Sequence, residues 1–346
     1  MFVRWDNLEK DAKTQGSLPG IGESTVRTFD APEALGVRFH EVEARSGLNR
    51  VPPQSRMPFR WTINPYRGCT HACVYCFARP THKYLDLNPR EDFEREIVVK
   101  VNVPEVVRAE LGRRSWKGEH VALGTNTDPY QWVEGRYGLM QGIWEAMRDF
   151  ANPCSVLTKS PLLLRDLELM REISARTEFV ANLSIPTLEE KAWRATEPHT
   201  PHPRKRIEAL AELNRAGIAT GVLIAPLIPG VNDAPGQVEE LVEAVGEAGA
   251  QSVGGVGLHL RGEVREIWFD WLRQYRPDLV PRYEELYRHG AYMAKDEREA
   301  LASRARGRRR PRRFTARSRG RGTTRPAKDE RVDGAEKPRG SQARLF

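Results

Sequence analysis

Three cysteines lie close together in this chain, and their spacing is suited to metal chemistry. Cys69, Cys73 and Cys76 form a C-x3-C-x2-C run. Thiolates hold the irons of [4Fe–4S] clusters, which usually take four of them. Three thiolates on one short loop can hold three irons and leave the fourth open to bind and activate a small molecule. The spacing therefore predicts a reactive cluster rather than a structural metal.

A zinc site is the alternative that the same residues allow. Structural zinc is normally held by four ligands that come in pairs, with the second pair further along the chain. His71 lies inside the run, but facing the same metal as both neighbouring cysteines would strain so short a segment. Cys154, the fourth cysteine, precedes an apolar pair and is expected to be a buried structural thiol.

The size and composition indicate a soluble globular protein. The chain has 346 residues, of which 39% are hydrophobic and 29% charged, enough for one large α/β domain or two ordinary ones. The first residues are charged, so no signal peptide is predicted, and no run approaches the ~20 apolar residues that cross a membrane. Four cysteines are too few for a disulfide scaffold. We expect a cytoplasmic protein with no membrane partner.

The positive charge is concentrated at one end of the chain. Residues 303–346 contain 16 Lys and Arg against 4 Asp and Glu, whereas residues 1–302 carry a net charge of −4. The tail is rich in Arg and Gly and poor in large apolar residues, so it cannot bury enough surface to offset its ordering entropy. We expect a disordered tail that could neutralise nucleic-acid phosphates without sequence specificity. A merely solubilising tail is the alternative.

Short strand-like runs alternate with amphipathic helical patterns from residue 60 onward. A helical stripe at Val238, Leu241, Val242 and Val245 is typical of the latter. Such alternation favours an α/β fold with a parallel sheet, closed partly or completely into a βα (TIM-like) barrel. Ligands collect at the carboxyl ends of parallel strands. The predicted strands are 61–64, 96–101, 120–124, 155–158, 178–185, 219–225 and 252–258.

The predicted core, residues 59–276, has flanks of different character. Residues 1–58 show no sustained period and recurring Pro and Gly, which indicates an extended N-terminal arm. Residues 277–302 have a helical pattern without strands, so we expect a C-terminal helical cap. The disordered basic tail follows at 303–346.

The cysteine run resembles that of the radical S-adenosylmethionine (SAM) superfamily, over roughly residues 60–275. The resemblance implies that Cys69, Cys73 and Cys76 hold a [4Fe–4S] cluster and that SAM chelates the open iron. In that superfamily one electron from the reduced cluster cleaves the sulfonium, and the resulting 5′-deoxyadenosyl radical abstracts hydrogen from the substrate. The resemblance also implies a reductase or flavodoxin-type electron donor.

Within the superfamily, the chain is similar to the spore photoproduct lyase and "DNA repair photolyase-like" branch. The similarity is carried by residues that follow predicted strands, in 124–131, 158–160 and 182–185. A hydroxyl can meet ribose oxygens and an ammonium can meet a carboxylate, although a strand-end Ser or Thr is also a usual helix N-cap. The SAM-binding residues that the resemblance implies are Tyr75, which packs on SAM, Thr127, Lys159 and Ser184, which hold its ribose and methionyl portions, and Asn102, a further candidate for its amino or carboxylate group.

Two further segments resemble functional parts of this branch. Glu197 and Arg206 match an acidic-Pro…Arg pattern and are expected to form an ion pair near the cofactor; a Pro-rich surface loop is the alternative. Residues 225–233 end the sixth barrel strand and could wrap the adenine with backbone groups, or serve as a rigid turn.

Two positions depart from spore photoproduct lyase. Thr125 stands where that enzyme has its hydrogen-donating cysteine, and Phe77 stands where it has a relay tyrosine. A threonine has no abstractable thiol hydrogen. The resemblance therefore implies the radical chemistry of the branch but not repair of its thymine lesion.

The sequence thus predicts a radical SAM enzyme that abstracts hydrogen from an unidentified substrate, for which nucleic acid is one candidate class. The alternative is a redox-sensing nucleic-acid-binding protein with the cluster as its switch and the tail as its affinity element. A sensor has no need of SAM-like residues at several strand ends. An electron-transfer protein would normally supply a fourth thiolate in ferredoxin-like spacing.

Overall fold

The computed structural model describes residues 12–18, 22–55 and 57–305 of the chain. Twelve strands lie within them: β1 Ala12–Leu18, β2 Gly22–Thr28, β3 Arg38–Val42, β4 Asn49–Arg50, β5 Trp61–Ile63, β6 Tyr66–Arg67, β7 Glu96–Lys100, β8 Val121–Leu123, β9 Cys154–Thr158, β10 Phe179–Ser184, β11 Ala219–Leu227 and β12 Ser252–Gly257. The α-helices in the same residues are α1 Asp92–Arg95, α2 Val103–Leu111, α3 Glu134–Tyr137, α4 Leu139–Asp149, α5 Leu167–Arg176, α6 Glu190–Thr196, α7 Pro203–Arg215, α8 Gln237–Glu247, α9 Val264–Tyr275, α10 Val280–Leu286 and α11 Lys295–Arg304. Short 3-10 helices occur at Pro32–Ala34, Arg79–Leu85, Pro161–Asp166 and Pro277–Leu279.

The larger sheet has seven strands in the order β12-β11-β10-β9-β8-β5-β4. The neighbouring strands in the series β5, β8, β9, β10, β11 and β12 pair in parallel. At the edge of the sheet, β4 pairs antiparallel with β5. Helices connect the parallel strands, as a parallel sheet requires. The parallel βα architecture expected from the sequence is confirmed, and within the described residues the barrel is open between β12 and β4.

The helical faces that cover this sheet follow the apolar periodicity of the sequence. In α8, Val238, Leu241 and Val245 are buried, as the predicted stripe requires. In α5 and the 3-10 turn before it, Leu163, Met170 and Ile173 are buried in the same way. A continuous core forms where these side chains meet the alternately buried positions of strands such as β9.

The strand predicted at 96–101 forms, but it does not join the parallel barrel sheet. It is β7, and it lies in a five-stranded sheet of order β1-β2-β3-β7-β6. It pairs in parallel with β3 and antiparallel with β6. Four of its five residues are buried, a pattern that fits any strand covered on both faces. The burial of these residues indicates a central strand, but long-range packing decides which strands β7 pairs with.

The N-terminal residues contribute strands where the sequence suggested only an extended arm. The strands β1 and β2 pair antiparallel over seven residues each, and β2 pairs with β3. The side chains of Arg38 and His40 both contact the Glu96 carboxylate, which ties β3 to β7. The division of the chain at residues 58, 276 and 302 stays a prediction.

The helical C-terminal segment packs on the edge strand β12. Glycines make room for it, because a Cβ at Gly255 would lie 2.6 Å from Ala305 Cβ and one at Gly257 would lie 2.9 Å from Met293 Cε. The tail predicted to be disordered starts at residue 303, and its residues from 306 onward lie outside the described part of the chain. No helix in the described part of the chain combines the length and the apolar character needed to cross a membrane.

Candidate active site

The cysteine loop, residues 68–79, follows β5 and β6 and is contacted by segments that follow other strands of the barrel sheet. The Thr127 hydroxyl, beyond β8, donates to the Gly68 carbonyl at 2.6 Å. The Lys159 ammonium, just beyond β9, lies 5.8 Å from the ring centroid of Tyr75. The Val74 N–H donates to the carbonyl of residue 196, at the end of α6 beyond β10, at 3.1 Å. The loop therefore lies at the carboxyl ends of the parallel strands.

The backbone of the cysteine loop is held in a tight, specific conformation. Gly68 has φ +84°, and a Cβ there would lie 2.9 Å from the Phe93 carbonyl oxygen, so this position requires glycine. Ala72, between the first two cysteines, also has a positive φ of 54°. The Cys76 N–H donates to the Cys73 carbonyl at 3.2 Å, which closes the turn between the last two thiols.

Arg79 fixes this loop from the inside. Its guanidinium is 2% exposed and donates to the carbonyls of Ala72 and Cys73, each at 3.0 Å. It also donates to the carbonyls of residues 89 and 90 and forms an ion pair with Glu94. A planar guanidinium can satisfy several acceptors at once, and removing it would strand those buried carbonyls. The arginine thus sets the path of the chain between the cysteines.

The three thiols of the loop are largely buried. Cys69 and Cys73 are buried, Cys76 is half-buried, and burial raises the pKa of both Cys73 and Cys76. No three His, Cys, Asp or Glu side chains in the described residues converge where they could share one metal ion. The thiolates of a cubane each bind a different iron. Three thiols on one loop are the donor set of a cluster with one open iron.

Thr127 and Gln131, on the segment after β8, hold the start of the cysteine loop. Besides the Thr127 bond to Gly68, the Gln131 amide donates to the Gly68 carbonyl at 3.2 Å and to the Thr127 oxygen at 3.2 Å. The Gln131 oxygen accepts from the Thr70 N–H at 3.0 Å. Both side chains are buried. The predicted ribose-binding residue Thr127 thus also has a direct structural contact with the loop.

Asp128 links the cysteine loop to the end of β9. Its carboxylate accepts from the Thr158 hydroxyl at 2.6 Å and from the Lys159 N–H at 2.7 Å. Its Oδ2 lies 3.4 Å from His71 Nδ1. Burial alone would raise the pKa of Asp128, but His71 and these hydrogen bonds lower it to about 2. The carboxylate is therefore ionised and orients both His71 and the backbone that carries Lys159.

Three of the predicted SAM-binding residues meet in one network. Lys159 Nζ donates to the Ser184 hydroxyl at 2.7 Å, lies 3.4 Å from a Glu197 oxygen and faces the Tyr75 ring. The Tyr75 hydroxyl donates to the same Glu197 oxygen. Burial, and then Glu197, raise the pKa of Tyr75 well above its usual range, so the phenol stays protonated.

The predicted Glu197–Arg206 ion pair is confirmed and fully buried. Arg206 Nη2 lies 2.6 Å from Glu197 Oε2, and both side chains are at most 2% exposed. The guanidinium also donates to the Ser184 carbonyl at 2.9 Å and to the Thr200 hydroxyl at 2.6 Å. Burial raises the pKa of Glu197, but Arg206 and Lys159 lower it to about 2. The carboxylate therefore anchors Tyr75 and Lys159 as an anion.

The structure does not bring Asn102 into this network. It follows β7, which belongs to the other sheet, and its side chain bonds both backbone groups of Ala44, at 2.7 Å and 3.1 Å. The amide is therefore occupied in holding the N-terminal segment. The prediction assumed that β7 was a barrel strand, and its position in the five-stranded sheet removes that premise.

The turn after β11, within residues 225–233, is held by a buried asparagine, and its contact with adenine stays a prediction. The buried Asn232 accepts from the Ile228 N–H at 2.6 Å and donates to the carbonyls of Pro186 and Pro226 at 2.9 and 3.0 Å. Thr125, at the departure from spore photoproduct lyase, places its hydroxyl 3.4 Å from Asn64 Oδ1.

Sequence reasoning missed Arg79, Gln131 and the His71–Asp128 contact. The available signals were an arginine three residues after the last cysteine and an acidic residue within the segment after β8. Neither signal reveals that the side chain turns inward.

A parallel βα sheet with three clustered thiols and a polar network at its strand ends defines a class of radical enzyme. The Radical SAM superfamily model matches residues 63–254, and the chain belongs to that superfamily. Its members use an iron–sulfur cluster and SAM, and this protein is accordingly a radical SAM enzyme.

Similar proteins refine this placement. An uncharacterized protein of Mycobacterium tuberculosis H37Rv is 46% identical over 290 residues, which cover 84% of this chain and 85% of that protein. A Radical SAM Nα-GlyT isomerase of Pseudomonas phage M6 is 26% identical over 169 residues, 48% of this chain and 33% of that protein. A spore photoproduct lyase mutant with bound AdoMet and dinucleoside spore photoproduct has a TM-score of 0.56 at 16% identity, with 77% of each chain covered, and so shares the fold.

Proposed function

We propose that Cys69, Cys73 and Cys76 hold a [4Fe–4S] cluster and that the enzyme uses SAM to abstract hydrogen from a nucleic-acid-related substrate. The observation that carries the proposal is the arrangement of the three thiols. They lie on one loop, and the Lys159–Ser184–Glu197 network contacts that loop at Tyr75. A cluster held by these thiols, with SAM bound and one electron from a low-potential donor, would supply the chemistry of hydrogen abstraction.

The residues around the loop are suited to hold SAM. The Lys159 side chain is 14% exposed and its ammonium donates one N–H to Ser184, so further N–H donors remain for the SAM carboxylate. The Thr127 hydroxyl donates to the Gly68 carbonyl and the Ser184 hydroxyl donates to the Ala225 carbonyl, so toward SAM these oxygens would act as acceptors for its ribose hydroxyls or amino group. The Tyr75 ring offers an apolar face and is fixed by its hydroxyl on Glu197. Asn102 does not enter the proposed site.

Glu197 and Arg206 act as positioning residues in this proposal. Their buried ion pair holds Tyr75 and Lys159 in place before SAM arrives, so binding does not have to order those side chains. Preorganisation of this kind lowers the cost of association.

The proposed substrate class rests on the similar proteins and on the tail. The lyase structure contains a dinucleoside photoproduct, and the name of the phage relative specifies Nα-GlyT isomerization. The Arg-rich segment beyond residue 303 adds charge that can neutralise phosphates. The redox-sensor alternative is not favoured, because a sensor would not require the superfamily's SAM chemistry.

We also propose where the electron donor docks. A surface cavity of about 980 Å³ touches the cysteine loop at Ala72, Val74 and Arg79 and is also lined by residues of α6 and α9 and of the segment 90–94. Trp271 and Tyr275 stack along it at 5.6 Å, and Tyr275 is 55% exposed. A flavodoxin-type protein seated there would be close to the cluster. Tyr275→Ser should then slow SAM cleavage driven by a reduced flavodoxin, relative to the wild type, but not cleavage driven by dithionite. A flavodoxin-driven rate equal to that of the wild type would contradict the docking site.

SAM cleavage is the first test of the function. Protein reconstituted anaerobically with iron and sulfide should release 5′-deoxyadenosine from SAM when dithionite is added. Cys76→Ala should abolish the release, and Cys154→Ala, which removes a buried thiol outside the loop, is the matched control. Release by Cys76→Ala at the wild-type rate would overturn the proposal. Deuterium transfer from labelled oligonucleotides into 5′-deoxyadenosine then tests the substrate class.

Lys159→Met tests the SAM site separately. Hydrogen bonds to charged groups contribute about 1.5–3 kcal/mol, so the Kd for SAM should rise roughly 10- to 150-fold. Lys191→Met, on α6, is the control for simple loss of a positive charge. Equal Kd values for Lys159→Met and the wild type, at equal iron content, would remove Lys159 from the site.

A further inference from the structure

Three aromatic rings form a stack whose first ring belongs to the cysteine loop. Phe77 directly follows Cys76, and its ring is tilted by 37° from that of His259, with the two centroids 5.9 Å apart. His259 stacks on Tyr292 at 5.6 Å with an interplanar angle of 24°. Phe77 is 52% exposed and Tyr292 is 39% exposed. The stack therefore presents an open aromatic surface to solvent, which a folded chain normally buries.

Two guanidinium groups flank the far end of the stack. Arg261 and Arg298 lie 5.2 and 5.3 Å from the ring centroid of Tyr292. Within residues 12–18, 22–55 and 57–305, neither side chain pairs with a carboxylate, and Arg298 Nε has no hydrogen-bond partner. Burial and the neighbouring Arg261 lower the pKa of His259, so its ring is neutral at pH 7 and the arginines supply the positive charge.

The stack, Phe77–His259–Tyr292 with Arg261 and Arg298, is called the aromatic platform below. It lies at the carboxyl end of the barrel sheet, because His259 comes two residues after β12 ends. The segment after β12 is joined to the segment after the cysteines by the Lys83–Glu263 ion pair. A molecule on Phe77 is therefore next to the loop proposed to hold the cluster.

We propose that the aromatic platform binds an unpaired nucleobase of a nucleic-acid strand, with Phe77 as the stacking face and Arg261 and Arg298 contacting the phosphates. The proposal rests on the proposed function, since it names the substrate class of the same site. Every base has a π face, so an open aromatic ring accepts bases with little sequence preference. A peptide side chain could also stack, but it would leave the two unpaired guanidiniums without an anionic partner. The strand's phosphates provide that partner.

The platform predicts binding that depends on the bases as well as on the phosphates. Reconstituted full-length protein is titrated with fluorescein-labelled dT12 and with an abasic strand of equal length and charge, by anisotropy at several salt concentrations. The wild type should bind dT12 more tightly. Phe77→Leu should weaken dT12 binding about 5- to 150-fold while leaving abasic binding unchanged, because stacking contributes this much per base. Replacing Arg261 and Arg298 by Gln should lower the salt slope by about 1.4.

Phe150→Leu is the matched control, since Phe150 is 42% exposed but directly follows α4, on the side of the amino end of β9. Equal wild-type binding of dT12 and the abasic strand would overturn the proposal and assign binding to phosphate contacts alone. The proposal would also be overturned if Phe77→Leu, with the iron content and circular dichroism of the wild type, kept the same preference for dT12 over the abasic strand. A U12 arm distinguishes RNA from DNA as the source of the base. The assay needs neither SAM nor reductant, so its failure is distinct from failure of SAM cleavage.

Discussion

Removal of the Glu197 carboxylate should destabilise the protein strongly. In Glu197→Gln the Arg206 guanidinium, 0% exposed at its side chain, loses its carboxylate partner. A buried charge left without its partner costs about 3–5 kcal/mol. The pKa of Glu197, about 2 against an ordinary 4.5, gives a similar figure of about 3 kcal/mol for the interactions that favour the carboxylate.

This cost can be measured as a shift in thermal unfolding. At about 2 °C per kcal/mol for a chain of this size, Glu197→Gln should lower the Tm by roughly 6–10 °C. Glu168→Gln is the control, because Glu168 forms an exposed i,i+3 pair with Arg171. Such pairs contribute only about 0.2–1 kcal/mol. Both variants are compared with the wild type at equal iron content.

A double-mutant cycle separates the ion pair from general damage to the core. Arg206→Met alone should also destabilise the protein, and Glu197→Gln combined with Arg206→Met should be less destabilised than the sum of the single changes by about 1–3 kcal/mol. A Tm loss below about 2 °C in Glu197→Gln, or strict additivity in the cycle, would refute the reasoning.

Three other perturbations have definite outcomes. Folding lowers the pKa of Glu197, so the stabilisation that its carboxylate gives the folded protein is complete above pH ~4.5 and is lost as the pH falls toward 2. When the Tm is measured at decreasing pH, it should therefore fall less steeply in Glu197→Gln than in the wild type. Gly124→Ala should prevent soluble expression, because φ is +83° and a Cβ would collide with the Leu157 carbonyl. The control Gly246→Ala, in α8, should leave the free energy of unfolding unchanged or raise it by up to about 1 kcal/mol. Arg79→Lys keeps the charge but not the planar fork, so cluster loss on dilution, followed by absorbance, should be faster than in the wild type; an unchanged rate would show that the buried guanidinium does not hold the loop.

The relation between sequence and fold differs between the two sheets. The parallel barrel sheet follows from local patterns, because each βα unit carries its own strand and its own helical stripe, as in β11 and α8. The smaller sheet depends on pairing between β3 and β7, which lie more than 50 residues apart. Local propensity identifies β7 as a buried strand but contains no information about its partner. The prediction for Asn102 depended on that missing partner.

The sequence by itself determined the three-cysteine loop and the class of chemistry, since the C-x3-C-x2-C spacing lies within one short segment. It also placed Thr127, Lys159 and Ser184 at strand ends, because strand boundaries are local features. Only the tertiary structure decided how these side chains are held. Arg79 turns inward because buried carbonyls need its donors, and the aromatic platform exists because the segment after β12 packs beside Cys76. Such contacts join residues as far apart as Phe77 and His259, 182 positions along the chain, and no local pattern specifies them.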